Sequence, residues 1–403
     1  MVPVERMIHS PAPETERLIA ALADARAGLV IVSSGGGAEA ISRLVATPGA
    51  SQVVLEGVVP YARAAVDGLL GGSQESYCSP RTARRLAVAA WERAVRLQEA
   101  AGVEPAEARR RAVGAAVTAG LRTTRPRRGE HRAIAAVQTR VATRVAELVL
   151  EKEARSRGDE ERVAAGLLLG EIAAACGAAA VVAEPPLRAG EVIRRDVVEP
   201  PESWRELFAG ARTLVAAGGS LDPESAVAAP GGLVFPGSFD PLHEGHMLMA
   251  RIAEEIAERP LAYELSIANV DKPTLDYVEM RDRAAQFADR PLWFTRAATF
   301  VEKLALFPRS TFVMGADTFA RLPDPRYYGG SKAAATRAVK AIAAKSGGLI
   351  VFGRARDGVF EEAAAIDVPK PLRDAAYFVS QREFRLDVSS TQLRRRALVG
   401  SDA

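Results

Sequence analysis

Residues 232–246 read Gly-Leu-Val-Phe-Pro-Gly-Ser-Phe-Asp-Pro-Leu-His-Glu-Gly-His. The apolar run at 233–235 predicts a buried strand, and a helical pattern follows at 245–257. His243 and His246, two of the four histidines in the chain, fall three residues apart at the turn between these elements. Both imidazoles can donate hydrogen bonds to phosphate oxygens, and the N–H groups and positive dipole end of the helix attract the same anion. The stretch therefore predicts an anion site at a strand-to-helix turn.

The sequence on the C-terminal side of this turn continues to alternate between strands and helices. Such alternation predicts an α/β domain with a Rossmann-like parallel sheet, covered on both faces and with ligands at the carboxyl ends of the strands. Strands are predicted at 233–235, 263–268, 292–294, 311–314 and 349–352, and helices at 245–257, 277–288, 300–307, 332–345 and 390–398.

The N-terminal half predicts a second α/β domain. Its predicted strands lie at 29–32, 53–59, 113–117 and 133–138, and its predicted helices at 38–45 and 80–98. A helical pattern, interrupted by charged residues, covers 143–176. Residues 184–230 have little periodicity and several Pro and Gly residues, which indicates a linker with one short helix at 204–211. We therefore expect domains at 1–183 and 231–403, separated by a linker at 184–230.

Two motifs in the C-terminal domain resemble the signatures of the nucleotidylyltransferase superfamily. The first is the His-x-Gly-His that ends at His246, and the second is Val-Ser-Ser-Thr-Gln-Leu-Arg at 388–394. The resemblance implies an HxGH-type fold that transfers a nucleoside monophosphate and releases pyrophosphate, with His243, His246 and Arg394 as catalytic residues. The nucleotide-binding residues that it implies are Gly237, Ser238, Phe239, Asp240, Gly245, Gly315, Asp317, Ser389, Ser390 and Thr391.

In-line attack on an α-phosphorus requires positioned hydrogen-bond donors more than covalent chemistry from the protein. Gly237 would let the backbone approach the triphosphate without a Cβ in the way. Ser389, Ser390 and Thr391 would cap a second helix whose N-terminus also attracts anions. Arg394, one turn later, can form a bidentate contact with the leaving phosphates.

Further matches resemble the mononucleotide adenylyltransferases of NAD synthesis. Gly315 and Asp317 lie in a Gly-Ala-Asp after a predicted strand, as in the nucleotide site of that branch. Lys272, Arg281 and Arg354 stand where the branch places basic residues near the phosphates or the acceptor. Each of the three is equally well explained as a solvated charge.

The chain departs from that branch just after the Gly-Ala-Asp. The branch usually carries a tryptophan there, whereas this chain has Tyr327 and Tyr328. A tyrosine can supply an aromatic face, and a different acceptor would also explain the change. The resemblance implies ATP with Mg²⁺ as the donor, although CTP stays open, and a mononucleotide or other phosphorylated small molecule as the acceptor.

Residues 10–180 more distantly resemble the C-terminal domain of competence-damage-inducible protein A, the nicotinamide mononucleotide deamidase family. The shared stretches include Ser-Ser-Gly-Gly-Gly at 33–37 and Pro-Gly-Ala-Ser at 48–51. Ser33 falls at the position of the family's catalytic serine, but Val66 stands where the family has the lysine base. Because a serine without a base is a poor nucleophile at neutral pH, we expect a pocket that binds a phosphorylated or nucleotide-like ligand without deamidase activity.

An arginine-rich loop at 125–132 follows Thr118-Ala119-Gly120 and lies between two predicted strands. It is either a solvated hairpin tip or an anion site, since arginine forks match phosphate. Two other functions stay open, namely a nucleotide-binding regulator without turnover and a bifunctional enzyme in which His131 or Arg63 is the base for Ser33. The candidate residues of the N-terminal pocket are Ser33, Gly36, Gly37, Thr118, Arg128 and His131.

Composition and charge exclude several classes of partner and site. The net charge of +3 is small for 403 residues, and aromatic residues do not interleave with the arginine loop, so nucleic acid is not expected as a partner. Cys78 and Cys176 have no metal-ligand spacing, so no metal site of the chain itself is expected. The sequence contains no apolar run of membrane-spanning length. We expect a cytoplasmic protein without membrane partners, and its state as a monomer or a homo-oligomer stays open.

Overall fold

The computed structural model describes residues 13–125, 128–218, 231–270, 273–287, 289–356 and 359–382. The chain divides into two compact units. The first is Met1–Pro201 with Asp271–Val278, and the second is Glu202–Val270 with Glu279–Ala403. None of the described helices is both long enough and apolar enough to cross a membrane.

The first unit contains a mixed sheet. Its described strands are β1 (Gly28–Ser34), β2 (Val54–Val58), β3 (Ala112–Gly120), β4 (His131–Gln138), β5 (Thr143–Leu150) and β6 (Ile193–Val198). They follow the order β2-β1-β3-β4-β5-β6, in which β1 is parallel to β2 and β3 while β3 to β6 are antiparallel. Every residue of β1 and β3 is buried, so these strands lie at the centre of the unit.

Six of the described α-helices belong to the first unit. They are α1 (Pro13–Asp24), α2 (Glu39–Val45), α3 (Arg63–Leu70), α4 (Pro80–Ala100), α5 (Pro105–Arg111) and α6 (Arg157–Ala175). At the start of α4, Ser79 Oγ accepts a hydrogen bond from the backbone N–H of Thr82. A capping box between Ser156 and Asp159 begins α6. Both helices pack on the sheet, α4 against β3 and α6 against β4.

The second unit contains a sheet that is parallel except at one edge. Its described strands are β7 (Leu214–Gly218), β8 (Leu233–Pro236), β9 (Leu261–Ser266), β10 (Leu292–Thr295), β11 (Thr311–Gly315), β12 (Gly348–Phe352), the hairpin β13 (Arg354–Arg356) and β14 (Val359–Glu361), and β15 (Ala376–Val379). The sheet order is β15-β12-β11-β8-β9-β10-β7, and β7 is antiparallel to β10. This arrangement confirms the predicted Rossmann-like α/β fold.

The helices of the second unit connect its parallel strands. They are α7 (Glu202–Phe208), α8 (Glu244–Ala257), α9 (Tyr277–Ala284), α10 (Phe300–Leu306), α11 (Ala316–Arg321), α12 (Lys332–Lys345) and α13 (Lys370–Asp374). The first two residues of α9 belong to the first unit. Because β8, β9, β10 and β11 are parallel, the loops that follow them lie at one edge of the sheet.

Two sequence expectations differ from the structure. Residues 143–176 were expected to be helical, but they form β5 before α6, and this expectation was wrong. The residues of β5 include helix formers, yet pairing with β4 and β6 decides their conformation. The segment 184–230, expected to be a linker with one helix, also supplies β6 to the first sheet and β7 to the second. Both are edge strands. Each pairs with a single neighbouring strand, so the hydrophobic pattern of its sequence is weak.

Candidate active site

A cavity of about 270 Å³ lies at the carboxyl edge of the second sheet. Gly237 and Ser238, which follow β8, line one part of it, and residues at or after the ends of β9 and β10 line another. Thr318 and Arg321 of α11 complete a third part of the lining. The cavity therefore occupies the place where the parallel topology predicts a ligand.

The turn after β8 is built around the ring of Phe239. This residue is buried at a φ of +45°, and its ring packs edge-on against Phe235, Tyr263 and Phe287 at centroid distances of 5.2 to 5.4 Å. A Cβ added to Gly237 would lie 2.5 Å from Phe239 Cζ. The glycine thus has a packing reason in addition to the expected close approach of a triphosphate.

Arg283 on α9 holds this turn in place, and sequence reasoning missed it. Its guanidinium donates to the carbonyl of Ser238, lies 3.1 Å from Asp240 Oδ2 and lies 2.7 Å from Glu279 Oε2. Its side chain is 6% exposed. Arg281, the residue that the sequence indicated, is 43% exposed and pairs with its neighbour Asp282. The i,i+4 spacing of Glu279 and Arg283 is the sequence feature that could have indicated this ion pair.

The two histidines stack at the N-terminus of α8. Their ring centroids are 3.8 Å apart, and the backbone N–H of His243 donates to Nδ1 of His246 at 3.3 Å. The ring of His246 also contacts the edge of Phe239, with centroids 5.1 Å apart. Because Nδ1 accepts a hydrogen bond, a neutral His246 must carry its proton on Nε2.

Burial keeps both imidazoles uncharged at neutral pH. Desolvation, with a smaller contribution from neighbouring His243, lowers the pKa of His246 to about 3. Desolvation also lowers the pKa of His243. Nδ1 of His243 is buried and has no hydrogen-bond partner among the described residues. The pair thus offers neutral N–H donors, which suit phosphate oxygens without adding a fixed charge.

Three further residues were predicted to bind the nucleotide, and they lie in different places. They are Gly245, Gly315 and Asp317. Gly245 is buried in the first turn of α8. Gly315 caps α11, and a Cβ added to it would meet no described atom within 4 Å. Asp317 is exposed and is not among the described residues that line the cavity, whereas Thr318 and Arg321 are.

Several predicted residues lie outside the described part of the chain. They are Lys272, Ser389, Ser390, Thr391 and Arg394. Arg354 begins β13, but its side chain is also outside the description. The second signature motif therefore stays a sequence prediction.

The part of the cavity beyond α11 carries two aromatic side chains. Tyr327 and Tyr328 both line it. The hydroxyl of Tyr328 donates to the carbonyl of Leu322 at 2.8 Å, and burial raises the pKa of Tyr328. Its phenol is therefore neutral and fixed in orientation.

The first unit has its own cavity, of about 310 Å³, at the glycine turn after β1. Ser33 and Gly36 of the predicted set line it, together with Tyr61, Arg157 and Glu161. Ser33 Oγ donates to the carbonyl of Gly36 at 2.9 Å, so the hydroxyl stabilises the turn. The arginine of this cavity comes from α6 and not from the arginine-rich loop.

The other predicted residues of this pocket are not among its described lining residues. His131 is buried, with Nδ1 2.7 Å from Glu160 Oε1. Arg128 is exposed on its loop, and Thr118 is buried within β3. A Cβ added to Gly37 would lie 2.7 Å from a methyl group of Val117, so packing explains this glycine. A role for Gly37, Thr118, Arg128 and His131 in ligand binding therefore stays a prediction.

A comparison with protein-family models gives a match that covers most of the second unit. Residues 234–396 match the model of the cytidylyltransferase-like family. The second unit thus carries a cytidylyltransferase-like domain, the kind of domain found in nucleotidylyltransferases.

The N-terminal region matches solved structures of the competence-damaged protein (CinA) superfamily. One, from Escherichia coli, is 18% identical with a TM-score of 0.32, and the match covers 42% of this chain and 94% of that one. Another, from Agrobacterium tumefaciens, is 20% identical with a TM-score of 0.33, and the match covers 42% and 99%. A search of curated proteins finds no match.

Proposed function

We propose that the second unit transfers an adenylyl group from ATP to a phosphorylated acceptor, in or near NAD metabolism. The observation that carries the proposal is the neutral pair His243–His246 at the N-terminus of α8. The neighbouring loop at Gly237 and Ser238 lines a cavity at the carboxyl edge of a parallel sheet. The match to the cytidylyltransferase-like family supports the same reaction type.

In this proposal the protein positions groups and stabilises charge that develops on the phosphates. Nε2–H of His246 and the N–H groups in the first turn of α8 donate to phosphate oxygens of the donor nucleotide. Because His246 is neutral, it donates without undergoing a protonation change across neutral pH. Arg394 would hold the departing pyrophosphate, as the second motif indicates.

In this proposal Mg²⁺ binds together with the nucleotide. Among the described residues, no group of three or more His, Cys, Asp or Glu side chains could hold a metal ion. Mg²⁺ keeps much of its water and is commonly bound through substrate phosphates with one or two carboxylates. The triphosphate would therefore supply most of the ligands, and the metal would neutralise phosphate charge.

For the first unit we infer ligand binding without deamidase turnover. The Ser33 hydroxyl is occupied by the carbonyl of Gly36, and Val66 is buried in α3 at the position of the family's lysine. His131, the alternative base, is engaged by Glu160. Arg157 in the cavity wall offers a positive charge for a phosphorylated ligand.

The test is pyrophosphate release by the purified full-length chain with ATP, Mg²⁺ and a panel of phosphorylated acceptors. His246→Ala should lower turnover on the order of a hundredfold, with a smaller effect on ATP affinity. His246→Gln and His246→Asn form a matched pair, because glutamine can place an N–H near the Nε2 position, whereas the amide of asparagine is one carbon shorter and reaches only the Nδ1 position. Glutamine should retain more activity than asparagine.

Nucleotide binding without pyrophosphate release from any acceptor, with either ATP or CTP, would favour the regulator instead. Release that depends on CTP and not on ATP would keep the transferase and change its donor.

A further inference from the structure

Gln286 holds the backbone of the turn that leads into the histidine pair. It lies in a 3₁₀ turn at Ala285–Phe287, which directly follows α9. Its side-chain oxygen accepts a hydrogen bond from the backbone N–H of Leu242 at 2.7 Å, and its NH₂ group donates to the carbonyl of Phe239 at 3.4 Å. A single amide therefore bridges the two ends of the segment from Phe239 to Leu242.

The same short stretch of chain holds the turn at further points. Arg283 donates to the carbonyl of Ser238 and pairs with Asp240. The buried ring of Phe287 packs edge-on against the ring of Phe239, with centroids 5.2 Å apart. At a φ of +45°, Phe239 has a backbone conformation that side chains disfavour, and such a conformation persists only where surrounding contacts hold it.

The peptide of Leu242 connects this support to the histidines. Leu242 immediately precedes His243, the residue that caps the N-terminus of α8. The backbone N–H of His243 donates to Nδ1 of His246, and its carbonyl accepts from the backbone N–H of His246 at 2.9 Å. The position of the His243 backbone therefore sets the orientation of the His246 ring and keeps the proton of that ring on Nε2.

We propose that Gln286 is a positioning residue, which acts through Leu242 and His243 to hold Nε2–H of His246 where it can donate to a phosphate. The proposal rests on the proposed function, since it gives Gln286 a part in the same site. Gln286 carries no net charge, so its effect on the reaction is geometric. Donors stabilise a transition state only when they already stand where charge develops. Loss of the amide should therefore lower kcat more than it weakens ATP binding.

The direct test is Gln286→Met in the full-length protein, because methionine is of similar length but lacks the amide donor and acceptor. The kcat of pyrophosphate release should fall at least about tenfold, while KM for ATP stays within about threefold of the wild-type value. Should this variant fail to fold, Gln286→Asn, whose amide is one carbon too short to bridge the turn, takes its place with the same expectations.

A general loss of packing is controlled by Ile342→Val, which removes one methyl group from the buried side of α12. This control should leave kcat unchanged. An unchanged kcat in Gln286→Met, or a rise in KM for ATP as large as the fall in kcat, would overturn the proposal.

A double-mutant cycle tests whether Gln286 acts through His246. If it does, Gln286→Met should change kcat by less than about twofold in a protein that already carries His246→Ala. Additive losses from the two substitutions would show that Gln286 acts on another part of the protein, and they would overturn the proposal.

NMR gives a result that does not depend on turnover. In Gln286→Met the amide proton of Leu242 should exchange with solvent at least about tenfold faster than in the wild type. The imidazole resonances of His243 and His246 should shift in Gln286→Met and stay in place in Ile342→Val. Unchanged exchange and unchanged imidazole resonances in a folded Gln286→Met protein would overturn the proposal. A wild-type protein that releases no pyrophosphate from any acceptor would refute the transferase, and the NMR result would then decide whether Gln286 positions the pair.

Discussion

Acidification should leave His246 uncharged over the range in which ordinary histidines titrate. Burial, and secondarily the neighbouring His243, lower its pKa to about 3 in the folded protein, against 6.5 for a solvated imidazole. The unfolded chain therefore binds a proton at this position that the folded chain excludes. The stabilising contribution is fully present above pH 6.5 and is lost progressively as the pH falls toward 3.

The magnitude follows from proton linkage. Below the unfolded-state pKa, each pH unit costs about 1.4 kcal/mol of stability per excluded proton. Between pH 6.5 and pH 4.5, His246 alone should therefore lower the free energy of unfolding by about 2 to 3 kcal/mol. His246→Gln has no titrating group at this position, so it should lack that part of the acid sensitivity.

Two measurements check this prediction. An NMR titration of the imidazole carbon-bound protons should show one resonance, absent from His246→Gln, that does not shift between pH 7.5 and 4.5. Urea unfolding at several pH values should show a smaller loss of stability with acid in the variant than in the wild type. A His246 resonance that titrates near its ordinary pKa would refute the neutral donor on which the proposed chemistry depends.

The other predictions concern the turn, its supporting helix and the first unit. Gly315→Ala should leave thermal stability unchanged but weaken ATP binding. Gly237→Ala should lower the free energy of unfolding by about 1 to 3 kcal/mol, because the added methyl group overlaps the buried ring of Phe239. Arg283→Met should destabilise the second unit on the order of 3 kcal/mol, since it removes the buried guanidinium that pairs with two carboxylates. The matched change Arg281→Met should have little effect in the same denaturation assay. The full-length protein should release no ammonia from nicotinamide mononucleotide, and release that Ser33→Ala abolishes would make the protein bifunctional.

Much of the fold could be predicted because its signals are local. Helix α12 occupies the predicted residues 332–345, and the strand before the first motif ends within one residue of the prediction. Errors arose where distant partners decide the structure. β5 is held by two antiparallel neighbours, and β6 and β7 are edge strands that exist through pairing with remote segments.

The site could be predicted in part for the same reason. The two histidines meet because both lie within one helical turn, which their spacing already indicates. Glu264, which lines the C-terminal cavity, also left a signal, since a charged residue inside an apolar strand requires a buried partner. Its partner Lys303 is 39 residues away, and nothing local connects the two. The same limit explains why the sequence did not indicate Arg157 of the N-terminal cavity and offered the arginine-rich loop as one candidate anion site instead.

The most direct test of the central claim follows the α-phosphorus of the nucleotide. Full-length protein is incubated with Mg²⁺, a phosphorylated acceptor and ATP that is labelled at this atom. The account predicts that the label moves to a product containing acceptor and adenylate, with one pyrophosphate released per product and with both lost together in His246→Ala. Release of orthophosphate from the γ position with no labelled acceptor product, or an equal rate in His246→Ala, would contradict it.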